Sequence, residues 1–436
     1  MIKSAEFKKR RQQIAKIIGN DSVAIIRARD VAIRNGDADY KYRPDSNFYY
    51  LSGCHEPEAL IVICPEYELG NDILFCREID TQNEIWNGPM LGLSRAKTEL
   101  LFDNSYDIKS LENLIPIIMQ GRDKVYFMLG EDSDFDKKIV EWTNLVKKEK
   151  WAKSQAPHEL VSIKPFLDDM RVYKSKAEIG CMKKSANIAA NAHIKMMQTC
   201  QPGIFEYNLN AAFLYTLSNE NSQPSYLPII GGGNNACILH YVNNNHVLND
   251  GDLVLIDAGA EYDYYASDIT RTFPVNGKFS KQQKEIYSIV LEAHSAAIEK
   301  VKPGSHWNEP HEAAVKVIAQ GLLDLGLLKG NIDEVIKNHK YAEFYMHKTG
   351  HWIGLDVHDC GEYSVDGLWV ELEASMVLTI EPGIYISSDA KVPKQYRGIG
   401  VRIEDDVLVT KDGNLILSDK APRTIEEIET IMEKSA

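Results

Sequence analysis

The feature that most constrains this chain is a carboxylate placed inside an apolar strand. The run DLVLIDAGA (252–260) predicts a buried strand, yet it contains Asp257. Burying an unpaired carboxylate costs several kcal/mol or shifts its pKa until the group is neutral. We therefore expect the fold to bring positive charge to Asp257.

A second carboxylate follows eleven residues later, at Asp268. If Glu261 to Asp263 form a hairpin turn, the two aspartates lie nearly opposite each other on one face of paired strands. Their Cβ atoms are then roughly 5 Å apart, and the charges repel unless a cation lies between them. Taken alone, the pair is also compatible with two solvated aspartates at a sheet edge.

Histidines cluster further along the chain. HKTGHWIGLDVHD (347–359) contains His347, His351 and His358 within twelve residues, beside aromatic and apolar neighbours. A hydrogen-bonded core histidine explains one of these better than it explains three. The segment is therefore a candidate for metal binding or proton transfer.

Two further segments place carboxylates at strands. Glu381 ends an apolar run and precedes Pro382-Gly383, a turn that would hold its carboxylate at the mouth of a strand. In GVRIEDDVLVT (400–410), period-two alternation puts Arg402, Glu404 and Asp406 on one face. This second strand is equally well interpreted as half solvated.

Four carboxylates and one histidine on separate strands form an oxygen-rich set that suits hard or borderline divalent ions. Mn²⁺ is the expected ion, with Co²⁺ or Zn²⁺ as alternatives. Four negative charges balance two divalent cations, and two ions about 3.5–4 Å apart can acidify a water and polarise a carbonyl. The carboxylates come from Asp257, Asp268, Glu381 and the strand that carries Glu404 and Asp406, and the histidine comes from the cluster of His347, His351 and His358.

The organisation of the chain predicts two domains, because 436 residues exceed what one hydrophobic core usually serves. Before residue 165, helical patterns alternate with apolar runs typical of strands, at 22–28, 59–64, 72–76 and 124–129. We place the boundary near residue 171. This gives an α/β domain over 1–171 and a second domain over 172–436.

The second domain combines helix pairs with strand-like runs. Helical spacing over 175–200 ends at Pro202-Gly203, and the pattern recurs over 280–302 before Pro303-Gly304. Strands are predicted in the runs 236–242, 252–260, 264–273, 376–386 and 400–410. Acidic residues interrupt nearly all of these runs, so we expect a sheet covered by helices that carries polar groups on its strands.

Charge and cysteine usage narrow the class of protein. The formal net charge of −14 disfavours nucleic acid or an anionic membrane as the main partner. Seven widely spaced cysteines without a CxxC pair are typical of reduced thiols in a cytoplasmic protein. GxSxG, HExxH and Walker-type motifs are missing, which argues against serine proteases and zincins.

At these residues the sequence resembles the pita-bread metallopeptidases, and most closely the aminopeptidase P family. The stretches LIDAGAEYDYYASDITRTFPVNGKFS, GHWIGLDVHD, TIEPGIYI and YRGIGVRIEDDVLVT carry the resemblance. It extends through DYKYRPDSNFYYLSGCHEPEA and EIWNGPMLG near the N-terminus. The resemblance implies an α+β architecture: a pita-bread catalytic domain preceded by a smaller, creatinase-like α/β domain that serves oligomerisation and substrate access.

The resemblance also implies an activity. Members of this family use a hydroxide held between two metal ions to release the N-terminal residue from peptides with proline in second position. Asp257 would ligate one metal, Asp268 and Glu404 would bridge, and His351 and Glu381 would ligate the other. Glu381 would also be the general base.

Other residues acquire substrate roles from the same resemblance. His240 and His358 would line the substrate site, stabilise the tetrahedral intermediate and help to move its proton. Further substrate-side positions are His347, Arg402 and Tyr385. Trp86 resembles a tryptophan that reaches a neighbouring subunit's active site in tetrameric members, which implies a homodimer or homotetramer.

The chain departs from the family's pattern at Lys348, where glycine usually follows the first histidine of HGxxH. This departure bears on the local turn and on the role of His347. It removes no candidate ligand.

Four alternatives share this fold. Prolidase has the same ligands but cleaves only Xaa-Pro dipeptides, and creatinase hydrolyses C–N bonds without metal. Binding or chaperone relatives have lost their ligands, and methionine aminopeptidases lack so long an N-terminal domain. Five intact ligand positions and the residues that make up the motifs favour aminopeptidase P.

Overall fold

The computed structural model describes residues 2–148 and 155–433. The chain divides into two compact units, Ile2–Met170 and Arg171–Ala436.

The N-terminal unit is built around a six-stranded mixed sheet with the order β6-β5-β4-β1-β7-β8. β1 pairs antiparallel with β4 and parallel with β7. The strands β1, β4 and β5 of this sheet are buried along nearly their whole length because helices cover them, as expected of an α/β layer structure, whereas the edge strand β8 is partly exposed. The strands are β1 (Ser22–Arg27), β2 (Ile33–Asn35), β3 (Ala38–Asp39), β4 (Leu60–Ile63), β5 (Asp72–Cys76), β6 (Asn104–Asp107), β7 (Lys124–Phe127) and β8 (Glu159–Ser162). The helices are α1 (Ser4–Ile18), α2 (Ser46–Ser52), α3 (Thr81–Asn87), α4 (Gly92–Thr98), α5 (Leu111–Met119), α6 (Ser133–Lys148) and α7 (Lys164–Val172).

The helices of the second unit come in the pairs that the sequence predicts. α8 begins with a capping box in which the Ser175 hydroxyl and the Glu178 side chain bond reciprocally to backbone N–H groups. The predicted helix over 280–302 is shorter than expected, since it ends at Ile298. The helices are α8 (Lys176–Thr199), α9 (Glu206–Asn219), α10 (Lys281–Ile298), α11 (Glu309–Asp324), α12 (Ile332–Lys337) and α13 (Ile425–Glu433).

The strands of the second unit are shorter than the apolar runs that predict them. They are β9 (Gln223–Pro224), β10 (Ile229–Gly232), β11 (Leu253–Asp257), β12 (Ala260–Tyr262), β13 (Tyr265–Ala266), β14 (Thr270–Pro274), β15 (Ser364–Val365), β16 (Leu368–Trp369), β17 (Val377–Ile380), β18 (Gly383–Ile386), β19 (Ile399–Arg402), β20 (Asp405–Val409) and β21 (Asn414–Ile416). Asp268, Glu381 and Glu404 lie in the breaks between consecutive strands, and Asp257 ends β11. Because backbone at a break is not held in a ladder, the carboxylates can converge on one point.

The strand predicted over 236–242 is wrong. Gly233–Cys237 form a 3₁₀ helix, and the chain then turns through His240. Ile238 and Val242 are 50% and 46% exposed, whereas Ala236 and Tyr241 are buried in a small hydrophobic cluster, so burial does not alternate as in a strand. His240 is therefore carried on a turn.

The predicted hairpin between the two aspartates is displaced. The turn falls at Asp263 and Tyr264, both with positive φ, and not at Glu261 to Asp263. The backbone partner of Asp257 is consequently Thr270, and Asp268 lies two residues away along the chain. The two aspartates are diagonal neighbours.

Two further features concern the whole described chain. In residues 2–148 and 155–433, no helix combines the length and the apolar character that a bilayer crossing requires. All seven cysteines are free thiols.

Candidate active site

One cavity in the second unit, of about 210 Å³, brings most of the predicted site residues together. Its lining includes all five candidate metal ligands and four of the six predicted substrate-side residues. Tyr385 lies just behind the lining, 2.8 Å from His347 Nε2. Trp86 belongs to the N-terminal unit, where it lies on α3 and is 83% exposed. The predicted residues in the lining are His240, Asp257, Asp268, His347, His351, His358, Glu381, Arg402 and Glu404.

Three of the four carboxylates of this cavity lie in surroundings that disfavour their negative charge. Burial raises the pKa of Asp257 to about 6 and that of Glu381 to about 7. Burial and the charges of Asp268 and Glu381 raise the pKa of Glu404 well above its ordinary value. Each of these shifts means that burial outweighs the positive charge that the surrounding side chains bring to the cavity.

His351 supplies part of that charge. Its Nδ1 hydrogen bonds to the carbonyl of Trp352 at 2.9 Å, which turns Nε2 toward Asp268 at 3.4 Å and Glu381 at 3.7 Å. Burial alone would lower the pKa of His351, but these carboxylates raise it to about 9. Burial would likewise raise the pKa of Asp268, and the bond from His351 lowers it.

The donor set fits divalent cations. Ligand atoms of Asp268, His351 and Glu404 lie within 4.8 Å of one another. A cation there would ionise the buried carboxylates and leave His351 neutral, with its Nδ1–H already held and Nε2 free. The residues therefore satisfy the chemistry of a metal centre with oxygen and imidazole ligands.

Arg402 connects the metal side of the cavity to its substrate side. Its guanidinium donates to Asp257 Oδ2 at 2.6 Å, to the Tyr385 hydroxyl at 2.9 Å and to Thr270 Oγ1 at 3.1 Å. Thr270 in turn donates to Glu404 Oε2 at 2.6 Å. One buried cation thus orients two candidate ligands and a tyrosine.

Tyr226 is a site residue that the sequence analysis missed. Its buried hydroxyl contacts Asp257 Oδ1 and lies 2.5 Å from Asp268 Oδ1. Burial and the adjacent carboxylates raise its pKa well above the ordinary value, so it remains a neutral donor. Nothing in the surrounding PSYLP sequence distinguishes it from a loop tyrosine.

The remaining histidines surround the carboxylates. His358 packs edge-on against His351, with ring centroids 4.4 Å apart, and burial lowers its pKa. His347 bonds through Nε2 to Tyr385 and through Nδ1 to the carbonyl of Lys348 at 2.7 Å. Burial lowers the pKa of His347 to about 4, so the ring is neutral at pH 7.

A buried ion cluster fixes the residue next to His358. Asp359 accepts from Arg171 at 2.5 Å and from Lys174 at 3.0 Å, and all three side chains are almost fully buried. Burial opposes ionisation of Asp359, but the two cations hold its pKa below the ordinary value. The cluster anchors the chain that carries His358.

Comparison with known proteins identifies two families whose models match this chain. Residues 180–411 match the family described as Metallopeptidase family M24, and residues 7–126 match the family described as Aminopeptidase P, N-terminal domain. The chain is 42% identical to an Xaa-Pro aminopeptidase of Haemophilus influenzae over 428 residues, which cover 98% of this chain and 97% of the relative.

Solved structures give the same result. The aminopeptidase PepP of Pseudomonas aeruginosa is 46% identical, with a TM-score of 0.98 over 100% of this chain and 99% of that chain. A zinc-substituted aminopeptidase P of Escherichia coli in complex with product is 40% identical, with a TM-score of 0.96 over 100% of this chain and 99% of that one.

Proposed function

Because the chain belongs to metallopeptidase family M24 and is an Xaa-Pro aminopeptidase, which releases the N-terminal residue before proline, we propose how its residues perform that reaction. Asp257, Asp268, His351, Glu381 and Glu404 hold two divalent cations. The observation that carries this assignment is the convergence of all five in one cavity, where burial raises the pKa of Asp257, Glu381 and Glu404.

The metal is Mn²⁺ in this proposal. Four carboxylates and one imidazole form a harder donor set than the thiolate-rich sites that select zinc. When bound, the divalent ions supply an acidified water and a polarised scissile carbonyl.

Glu381 is the proposed general base. Its carboxylate lies at the break between β17 and β18, with Oε1 3.4 Å from Thr379 Oγ1 and its backbone N–H held by the Thr349 carbonyl at 2.8 Å. These bonds fix the carboxylate while it takes the proton of the attacking water. The same carboxyl then carries that proton to the leaving proline nitrogen.

His240 and His358 face the space that the substrate occupies. His358 stands against His351 at one side of the cavity, and His240 is carried there by the turn after Gly233–Cys237. Each imidazole can donate to the oxygen on which negative charge develops and return the proton when the intermediate collapses.

His347, Tyr385 and Arg402 form the proposed wall for the proline side of the substrate. The neutral His347 ring and the Tyr385 ring lie 5.6 Å apart, and Arg402 bonds to the tyrosine hydroxyl. A rigid apolar surface with one oriented cation suits a compact pyrrolidine ring followed by a peptide carbonyl.

Mass spectrometry of an equimolar mixture of an Xaa-Pro dipeptide and an Xaa-Pro-Yaa tripeptide tests substrate choice. Mn²⁺-loaded enzyme should consume the tripeptide, and chelator-treated enzyme should consume neither peptide. Consumption of the dipeptide alone would mean that the chain acts as a prolidase.

A homo-oligomer, either a dimer or a tetramer, completes the proposed substrate site. The 83% exposure of Trp86, next to an Ile85 that is 74% exposed, supports this proposal, since tryptophan is enriched at protein–protein interfaces. Trp86 of one copy would reach the metal cavity of another. Light scattering of wild type and Trp86→Ala, with KM for Xaa-Pro-Yaa, checks it: a monomeric, fully active wild type would contradict it.

We also propose a cytoplasmic location. Seven free thiols, four of them buried, suit a reducing compartment. Fractionation of the producing cells should recover the activity with cytoplasmic markers.

A further inference from the structure

A second and larger cavity, of about 700 Å³, lies in the same unit and has no part in the reaction described above. Its volume falls within the range of small-molecule sites, about 300–1,000 Å³. It is enclosed by α11, the end of α12, β16 and β17. We call it the aromatic cavity, after its lining residues Trp307, Tyr341, Tyr363 and Trp369.

The apolar wall of this cavity is an ordered aromatic cluster. The Trp307 ring lies 4.3 Å from Trp352 and 4.6 Å from Tyr363. Trp369 remains 44% exposed at the rim. Aromatic faces of this kind bind flat rings and branched apolar groups.

The charged groups of the lining are mainly cationic. Lys316 and Lys348 contribute ammonium groups, against the single carboxylate of Glu312. Burial lowers the pKa of His311 to about 4, so this ring is neutral at pH 7. Glu312 accepts a hydrogen bond from Asn308 at 2.5 Å. Neither lysine forms a salt bridge with a carboxylate anywhere in residues 2–148 or 155–433. The aromatic cavity therefore offers two ammonium groups to an anion.

The aromatic cavity shares a wall with the metal cavity. Lys348 and Gly350 line both, and Thr349 between them is buried. The wall lies directly on β17, where a Cβ at Gly350 would come within 2.0 Å of the Thr379 carbonyl oxygen. Lys348 is also the residue by which this chain departs from the glycine of the HGxxH pattern.

Thr349 bonds to groups on both sides of that wall. Its hydroxyl pairs with His311 Nδ1 at 2.8 Å, on the aromatic side, and with the hydroxyl of the buried Tyr345 at 2.5 Å. Its carbonyl accepts the Glu381 backbone N–H at 2.8 Å, on the metal side. Two hydrogen bonds, from His311 to Thr349 and from Thr349 to Glu381, thus connect the aromatic cavity to the proposed general base.

From these contacts we infer that the aromatic cavity binds a small organic carboxylate with an aromatic body, and that its occupancy alters turnover through Thr349. The ring packs on Trp307, Tyr363 and Trp369. The carboxylate pairs with Lys316 and Lys348. Ordering of the lysine next to Thr349 then changes the position of Glu381, which affects kcat more than KM.

Calorimetry with the metal-loaded enzyme tests binding, using N-acetyl-L-tryptophan and its uncharged amide as matched probes. Neither probe has a free amine, so neither is a substrate. The acid should bind at least tenfold more tightly than the amide. Trp369→Ala should weaken both probes, and Lys316→Met should weaken the acid alone, each by about tenfold.

Two matched variants serve as controls. Leu368→Ala removes an exposed side chain from the same two-residue strand as Trp369, and Lys329→Met removes an exposed lysine outside the lining. Both should bind the acid like wild type. Absence of binding, or equal binding by all four variants, would overturn the proposal.

Kinetics separate this site from the metal cavity. Saturating acid should change kcat for an Xaa-Pro-Yaa peptide by severalfold in wild type and leave kcat unchanged in Trp369→Ala. An increase in KM alone, equal in both proteins, would show that the probe binds in the metal cavity and would contradict the inference.

Discussion

The Arg402 guanidinium lies 2.6 Å from the Asp257 carboxylate and is the buried positive charge that the apolar strand around Asp257 requires. Burial raises the pKa of Asp257, and Arg402 is the main group that opposes this rise. The same guanidinium bonds to Tyr385 and Thr270. The position of a candidate metal ligand and the shape of the substrate side are therefore set by one side chain.

Replacement of Arg402 by lysine should reduce kcat/KM by about 10–100-fold and weaken metal retention, since an ammonium carries its donors on one nitrogen and cannot span the three acceptors that the planar guanidinium reaches through separate nitrogens. Steady-state kinetics and metal content after dialysis measure the two effects. Arg397→Lys, at an exposed guanidinium, is the control and should behave like wild type. Full activity of Arg402→Lys would show that charge alone is sufficient.

Tyr226→Phe should lower kcat/KM by about tenfold, because the Asp257 and Asp268 oxygens lose a buried donor. Titration of the chelator-treated protein with Mn²⁺ should show weaker binding. Tyr215→Phe, on the exposed face of α9, should leave both quantities unchanged. Wild-type metal affinity in Tyr226→Phe would mean that the hydroxyl does not orient the ligands.

His193 should make the protein less stable in acid. The ring is fully buried on α8, donates through Nε2 to the Ala258 carbonyl at 3.0 Å, and has its pKa lowered by burial from 6.5 to about 4. As pH falls from 6.5 toward 4, the unfolded chain binds a proton that the folded chain does not, so stability falls.

The loss attributable to His193 is about 3 kcal/mol over that range, since one pKa unit is worth about 1.4 kcal/mol. His193→Gln should flatten urea unfolding curves measured between pH 6.5 and pH 4, while preserving a donor. His158→Gln, at a half-exposed histidine, should retain the wild-type slope. Equal slopes in all three proteins would contradict the prediction.

Asp359→Asn should destabilise the second unit by about 3–5 kcal/mol, because it leaves Lys174 buried beside a neutral group and removes one of the carboxylates that pair with Arg171. Thermal unfolding measures the change, and kcat should fall as well if the cluster positions His358. Asp366→Asn, in the exposed β15–β16 hairpin with φ of 52°, is the matched control. A Tm equal to that of wild type would refute the role of the cluster.

Much of the architecture follows from the sequence. The separated motifs quoted above predict the family, the fold class and the reaction, and the comparisons confirm all three. A carboxylate in an apolar run is a strong physical signal. It identifies Asp257 as a buried group that needs positive charge nearby, before any resemblance is considered.

The details that the sequence does not reveal are those that bring the site together. Period-two patterns run unbroken through Asp268 and Glu404, so they do not show that each residue lies between two strands. The register of the Asp257 hairpin depends on a turn at Asp263 and Tyr264. Polar residues flank these two positions, so the sequence does not show where the turn falls. Tyr226 comes from a loop distant in sequence, and only the folded chain brings its hydroxyl to the carboxylates.

The five-ligand assignment is tested most directly by anomalous diffraction from crystals of the Mn²⁺-loaded protein, beside Asp268→Ala and Glu404→Ala crystals grown in the same way. Wild type should show two peaks in the cavity lined by Asp257, Asp268, His351, Glu381 and Glu404, and both variants should lose at least one. Peaks elsewhere, or two undiminished peaks in an active variant, would contradict the assignment.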